Sequence, residues 1–257
     1  MSEGSQGLSA GARFACWFGS YVNGRTSLDD ALDAITGADV AHHVVGLDAD
    51  DASDDASDDD GATPLALALG RLRRTVLDRS DHVSLSLPAP GDPAGLAGPA
   101  DFNTEAVDAG EAVLLGGAGL GLVPAQVGAG VFWRVRRAAS PAPPDLGEAD
   151  RGLRSVLREV ADALAALDVA RWQPDVADAL LNLRRSGGPR LPPDMAPKAV
   201  ALATTAARCR VIVDLAWRTE GATPTGYEAD VRTASLRPLD RAARRALAAA
   251  CTTPVAR

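Results

Sequence analysis

The chain has 257 residues, 46% of them hydrophobic, which is enough to bury a sizeable core in one domain or two closely packed ones and too apolar for global disorder. Its net charge of −8 has a local origin: eight of the 34 acids lie in Asp48–Asp60 (DADDASDDASDDD), and the remaining 26 balance the 26 Lys plus Arg. A neutral remainder gives no electrostatic reason to expect nucleic acid or an anionic membrane as partner.

The amino terminus, MSEGSQGLSAGARF, lacks the basic and then apolar run of a signal peptide. Ala12–Val22 places Phe14, Trp17, Phe18 and Tyr21 at helical three-and-four spacing, a face expected to pack as core, and Asn23-Gly24 ends it. Ser27 reads as an N-cap with Asp30 in a capping-box-like position, and Leu28, Leu32 and Ile35 give a short stripe before Gly37. The acidic segment Asp48–Asp60 has no apolar residue larger than Ala, so it has nothing to bury against its ordering entropy and is expected to be a mobile loop. An EF-hand register through Asp58, Asp60 and Gly61 puts Ala56 first and Leu67 last, where carboxylates are required, and is rejected.

Thr63-Pro64 is expected to open a helix carrying Leu65, Leu69, Leu72 and Val76. Val83–Leu87 (VSLSL) alternates as a half-buried strand facing inward with Val83, Leu85 and Leu87. The loop Pro88–Pro99 (PAPGDPAGLAGP) follows, with four prolines and three glycines, stiff in places and open to close backbone approach in others, which suits a ligand-lining loop. Asp101 is expected to cap a short helix ending before Gly110.

Ala112–Trp133 is an uncharged run of twenty-two residues. Its length suits a membrane span, but six glycines, Pro124 and Gln126 break it into strands, read as Ala112–Gly116, Leu120–Val123 and, after a loop through Pro124 and Gly128, Val131–Arg137. Together these elements predict an antiparallel or mixed sheet with helices against one face.

Pro141, Pro143 and Pro144 mark a stiff linker over residues 141–147, separating an N-terminal α/β part (1–140) from a helical part (148–257) in which no strand is expected. Glu148–Arg171 is the clearest helix, with Leu153, Val156, Leu157, Val160, Leu164 and Leu167 in one stripe and Asp150/Arg154 and Arg158/Asp162 paired at four-residue spacing. It is expected to carry the packing between the two parts. Further helices are expected from Pro174 to Gly187-Gly188, over Ala196–Thr219, near Tyr227–Leu236, and from Pro238 to Ala250. Arg241, Arg244 and Arg245 are a weak nucleic-acid signal, since Asp240 can pair with Arg244.

Chemical motifs fail on spacing. The run Gly116–Gly121 does not fit a dinucleotide fingerprint, because the last glycine place falls on Leu122 or Pro124, and Lys198 follows Ala-Pro, not a phosphate loop. His42-His43 lack a second metal-ligand pair, so neither a metal nor a cofactor is expected. Cys16, Cys209 and Cys251, far apart and odd in number, suit a reduced cytoplasm better than a disulfide framework or zinc site. A Ser84, His82 and Asp92 set has no glycine-flanked nucleophile elbow to support it. The remaining candidates are polar groups around the Pro/Gly loop, Asp92, Asn103, Glu105 and Glu111, with Gly95 as a point of backbone access. Each also has a local explanation as a turn-former, a first-turn residue or a strand-end charge.

GDPAGLAGPADFN (Gly91–Asn103), GEAVLL (Gly110–Leu115), GLVP (Gly121–Pro124) and LDVARWQP (Leu167–Pro174) occur in that order. With them, from about Thr63 on, the chain resembles a group of uncharacterised actinobacterial proteins. The resemblance implies no activity, and no catalytic residue carries over from it. The sequence therefore reads as an α+β protein whose expected function is that of a non-catalytic cytoplasmic binding or regulatory protein acting through contacts with a protein partner. The alternative is a small-ligand binder or enzyme with a pocket at the loop 88–99, lined by Asp92, Gly95, Asn103 and Glu111.

Because Asp48–Asp60 has no core-forming residue, replacing it with a short Gly/Ser linker is expected to leave the fold intact. A thermal midpoint lowered by more than about 8 °C would show the segment to be structural.

Overall fold

The computed structural model describes residues 7–47, 61–166, 188–218 and 226–256. The acidic segment and the helix expected from Pro174 lie outside these residues. The chain divides into a sheet unit, Ser9–Pro144 with Leu191–Met195 and Cys251–Arg257, and a helical unit built chiefly from Asp145–Arg190 and Ala196–Ala250. Among the described residues no helix is long and apolar enough to cross a membrane.

In the sheet unit the elements are α1 (Ala10–Val22), α2 (Leu28–Thr36), β1 (His42–Val45), β2 (Thr63–Pro64), α3 (Leu65–Arg79), β3 (His82–Ser86), α4 (Ala100–Ala109), β4 (Ala112–Gly116), β5 (Leu120–Val127), β6 (Gly130–Arg137) and β7 (Thr253–Pro254). The strands form one sheet in the order β2-β1-β6-β5-β4-β3-β7, antiparallel except for the β1–β6 pair. The uncharged run thus forms sheet, with Ala112–Leu115 fully enclosed and the end of β5 at Gln126–Val127 exposed. Ser27 caps α2 as expected, accepting from the Asp30 amide at 3.1 Å.

Strand alternation sorts the core into two faces. On one, Val131, Trp133 and Val135 of β6 are buried, and Trp133 meets α1, its ring centroid 4.6 Å from that of Phe14. On the other, α4 lies over Ala112, Leu114 and Val123 through Phe102 and Ala106. Helices therefore cover both faces, where the sequence suggested one. For the same reason β3 is buried along its whole length, His82, Ser84 and Ser86 included: alternating polarity shows which face prefers water and not which face receives it.

Three further boundaries differ from expectation. Thr63-Pro64 pairs with Val44 and His43 as a short edge strand, and the helix begins after it at Leu65. β5 runs on through Pro124 to Val127, and a two-residue Gly128-Ala129 turn with Gly128 at φ 60° joins it to β6. β7 is supplied by the carboxy terminus. Asn23 at the end of α1 holds it there, donating from Nδ2 to the Pro254 carbonyl and accepting the Ala256 amide at Oδ1, both at 2.9 Å.

The helical unit contains α5 (Leu146–Ala166), α6 (Pro197–Arg218) and α7 (Gly226–Ala250). Asp145 starts α5, its Oδ1 accepting from the Glu148 amide at 2.6 Å. Leu153 and Val160 of the expected stripe are buried, and the Asp150–Arg154 pair forms at 2.9 Å on the surface, where such pairs contribute little. Small residues, Ala203 and Ala206 of α6 with Ala243 and Ala246 of α7, let the helices approach closely. One continuous α7 replaces the two helices expected around Pro238. A proline removes one intrahelical hydrogen bond, and the packing of α7 on both α5 and α6 offsets that loss. Arg244, 7% exposed, is paired with Asp240 at 2.8 Å.

Trp133 Nε1 donates to His42 Nδ1 at 3.2 Å, so the proton of the neutral imidazole sits on Nε2, which donates to Asp39 Oδ2 at 3.0 Å. Arg13 closes the network, 2.6 Å from the same Asp39 oxygen. Burial pushes the His42 pKa below its ordinary 6.5, against the opposing pull of Asp39. As pH falls the unfolded chain therefore takes up this proton first, and stability present above about pH 6.5 is lost as pH drops towards the lowered folded value. The urea midpoint is expected to be lower at pH 5 than at pH 7, with a smaller difference in His42→Gln. An undiminished difference in the variant would assign the pH dependence to another group.

Candidate functional site

α4 carries Asp101, Thr104, Glu105 and Asp108 at one-turn spacing on a single face, while Phe102 and Ala106 on the opposite face are buried. Gly121 lets this helix sit close to β5, because a Cβ there would come within 2.5 Å of the Phe102 ring. The polar face consequently forms one wall of an open cleft of about 640 Å³, lined further by Ala109, by Val123, Pro124, Ala125 and Gln126 of β5, and by Arg134 of β6. This volume lies in the range of small-ligand and short-peptide sites.

Glu105 is the fixed point of the wall: its two oxygens take Arg134 and Arg136, each at 3.2 Å. These residues alternate along β6, so both guanidinium groups rise on the α4 face of the sheet. The side chains are 23–42% exposed, which limits each pair to roughly 0–1 kcal/mol. Their effect is to set the position of the cleft wall. Asp101 and Asp108 have no ion-pair partner among the described residues. Asp108 and Ala109 also lie at the carboxy end of α4, where the helix dipole is negative, so the cleft favours cations.

The four residues singled out at the Pro/Gly loop lie apart from this cleft. Asp92 is buried and closes a tight turn, exchanging backbone hydrogen bonds with Ala89 at 2.8 and 3.0 Å. Gly95, at φ 86°, lies against β3, where a Cβ would meet Ser86 Oγ at 2.9 Å. Asn103 Oδ1 accepts the Gly98 amide at 3.1 Å and fastens the loop to the first turn of α4. Glu111 points to the other face, accepting the Gly11 amide at 3.0 Å near the amino end of α1. Of the polar groups named from sequence, Glu105 lines the cleft. Asp101, Thr104 and Asp108 were missed, although their spacing opposite Phe102 and Ala106 marked an exposed helix face.

The serine, histidine and aspartate that do come together are Ser140, His82 and Asp81, not Ser84 and Asp92. Ser140 Oγ is 3.1 Å from His82 Nε2. Asp81 Oδ1 approaches Nδ1 to 2.6 Å, yet Nδ1 makes no hydrogen bond. The carboxylate, 64% exposed and on the adjacent residue, therefore lies off the ring N–H direction and does not orient the imidazole as a catalytic triad requires. All three cysteines are buried free thiols. Contact with Cys251 and then burial raise the Cys16 pKa, and burial pushes Cys209 up to about 11, which leaves both protonated and poorly nucleophilic at neutral pH.

Phe102→Ala is expected to cost about 3–5 kcal/mol by undermining α4, whereas Asp101→Lys and Asp108→Lys should each change stability by about 0.5 kcal/mol or less. Urea titration checks both. A Phe102→Ala loss near zero would mean that α4 does not depend on this anchor.

Comparison with known proteins gives two matches that together span nearly the whole chain. Residues 11–149 match the N-terminal domain of Rv1486c-like protein, and residues 147–248 match the C-terminal domain of Rv1486c-like protein. The chain is similar to uncharacterized protein Rv1486c of Mycobacterium tuberculosis strain H37Rv, 28% identical with 92% of this chain and 93% of that protein covered. It is also similar to uncharacterized protein ML1804 of Mycobacterium leprae, 27% identical with 91% and 93% covered. No solved structure matches the chain. With a buried strand-forming core in the first matched segment and the packed helices in the second, the chain belongs to the Rv1486c-like protein family of actinobacteria.

Proposed function

We propose that this is a non-catalytic cytoplasmic binding protein that acts through contacts with another protein, and that the cleft between α4 and β5 is its contact surface. The observation that carries the reading is the composition of that cleft. Two carboxylates with no ion-pair partner among the described residues, Asp101 and Asp108, stand opposite strand residues Pro124–Gln126, with Glu105 held in place by two arginines. Such a wall recognises charge and backbone in a ligand. The cytoplasmic assignment is supported by the free, buried cysteines, which suit a reducing compartment.

The test uses the full chain as bait in a lysate of its source cells, beside an Asp101→Lys, Asp108→Lys double variant whose fold is verified by circular dichroism. The parent is expected to retain a protein in stoichiometric amount and the variant to lose it. Retention by both would place the contact elsewhere. If no protein is retained while a metabolite panel shifts the parent's thermal midpoint, the small-ligand reading replaces this one.

A further inference from the structure

The ladder between β5 and β6 fixes which backbone groups of β5 are used. Ala138 donates to the Gly119 carbonyl at 2.9 Å, and the two-residue turn closes on the pair Val127–Gly130. Odd-numbered residues of β5 therefore exchange hydrogen bonds with β6, and even-numbered ones point the other way. On that other side Leu120 and Leu122 meet β4, but β4 begins at Ala112, level with Val123. Beyond that point the Pro124 carbonyl and both the N–H and C=O of Gln126 face away from β6, with no strand beside them among the described residues. Proline is tolerated at 124 because its missing N–H falls on this uncovered side.

This stretch of β5 lines the cleft. Four consecutive residues, Val123–Gln126, border it; since successive side chains point to opposite faces, the cavity meets the backbone of this stretch as well as side chains. The outer edges of the sheet are closed differently: β2 and β7 are two residues long and each ends in a proline, Pro64 and Pro254, which discourages strand pairing there.

We infer that a partner protein inserts an extended basic segment into this cleft and adds to the β5 edge at Pro124–Gln126, with Arg or Lys side chains meeting Asp101 and Asp108; this rests on the contact reading above. Arg134, the cation lining the cleft, is held by Glu105, so the unbalanced charge is acidic and the complementary segment is cationic. Strand addition gives backbone affinity, and alternate side chains give specificity. Asp101 and Asp108 are seven residues apart, about 10 Å along the helix axis, which corresponds to roughly three residues of extended chain. The basic residues of the partner segment are therefore two or four positions apart, the spacings that place them on the same face.

The experiment pans a random heptapeptide phage library against the immobilised full chain. Enrichment of Arg or Lys at positions two or four apart is expected; enrichment of acidic or purely apolar peptides, or none, overturns the inference. The most enriched peptide is then measured by fluorescence anisotropy. Its affinity is expected to fall at least tenfold when alternate backbone nitrogens are methylated, and again in the Asp101→Lys, Asp108→Lys chain. Amide exchange at Gln126 is expected to slow when it binds. Affinity unaffected by backbone methylation at either set of alternate positions, or unchanged exchange at Gln126, overturns strand addition. If the parent chain still retains a whole protein in an Asp101- and Asp108-dependent way, the contact reading survives that failure.

Discussion

Trp133 is the side chain on which the sheet unit depends. Fully buried on the middle strand of the order β1-β6-β5, it packs against Phe14 of α1 and sits directly opposite Val44 of β1. Its indole N–H is also satisfied by His42. A buried indole without an acceptor would cost a hydrogen bond in a low-dielectric interior, and a neutral imidazole two positions along the parallel strand provides that acceptor. Through His42 the network continues to Asp39 and Arg13, so one aromatic residue couples the parallel strand pair, the helix above it and the loop entering β1.

The opposite face of the sheet follows a different logic. There a short helix is anchored by Phe102 against a glycine, and its remaining face is left to solvent and to the cleft. Glu105 ties that helix to two neighbouring rungs of β6. These pairs are too exposed to contribute much stability, but they keep the acidic wall at a fixed distance from the strand floor. The rigid, aromatic side of the sheet thus supports a polar side that carries the cleft.

Strand lengths set the geometry of the cleft floor. β5 and β6 are eight residues each, β4 five. The mismatch arises because the chain leaves α4 at Gly110, in a left-handed conformation, and enters β4 only at Ala112, level with Val123. Among the described residues the surplus of β5 is therefore uncovered on one side while fully paired on the other, and it lies beside a helix that offers carboxylates.

Much of this was legible in the sequence. Apolar periodicity located α1, α2, α3 and α5, and the glycine punctuation of Ala112–Trp133 showed that it forms strands. The main segment of the sheet unit ends at Pro144, but that unit also takes Leu191–Met195 and Cys251–Arg257 from the part expected to be helical. These features are local: they depend on spacing, caps and turns within a few residues. What the sequence left open was every relation between distant segments. Asp92, Gly95, Asn103 and Glu111 looked like one wall because they are near in sequence, yet strand alternation sends Glu111 to the face of α1 and the loop folds back on Ser86. Pro124 read as a loop residue because its tolerance in a strand depends on where another strand ends. Thr253–Pro254 gave no periodic signal at two residues. Ser140 gave no hint that it would meet His82, 58 positions away. Composition and periodicity alone determined an α+β chain with its core-forming helices and strands; the tertiary structure decided which edges are covered and which polar groups share a surface, because those properties belong to pairs of segments and not to either one.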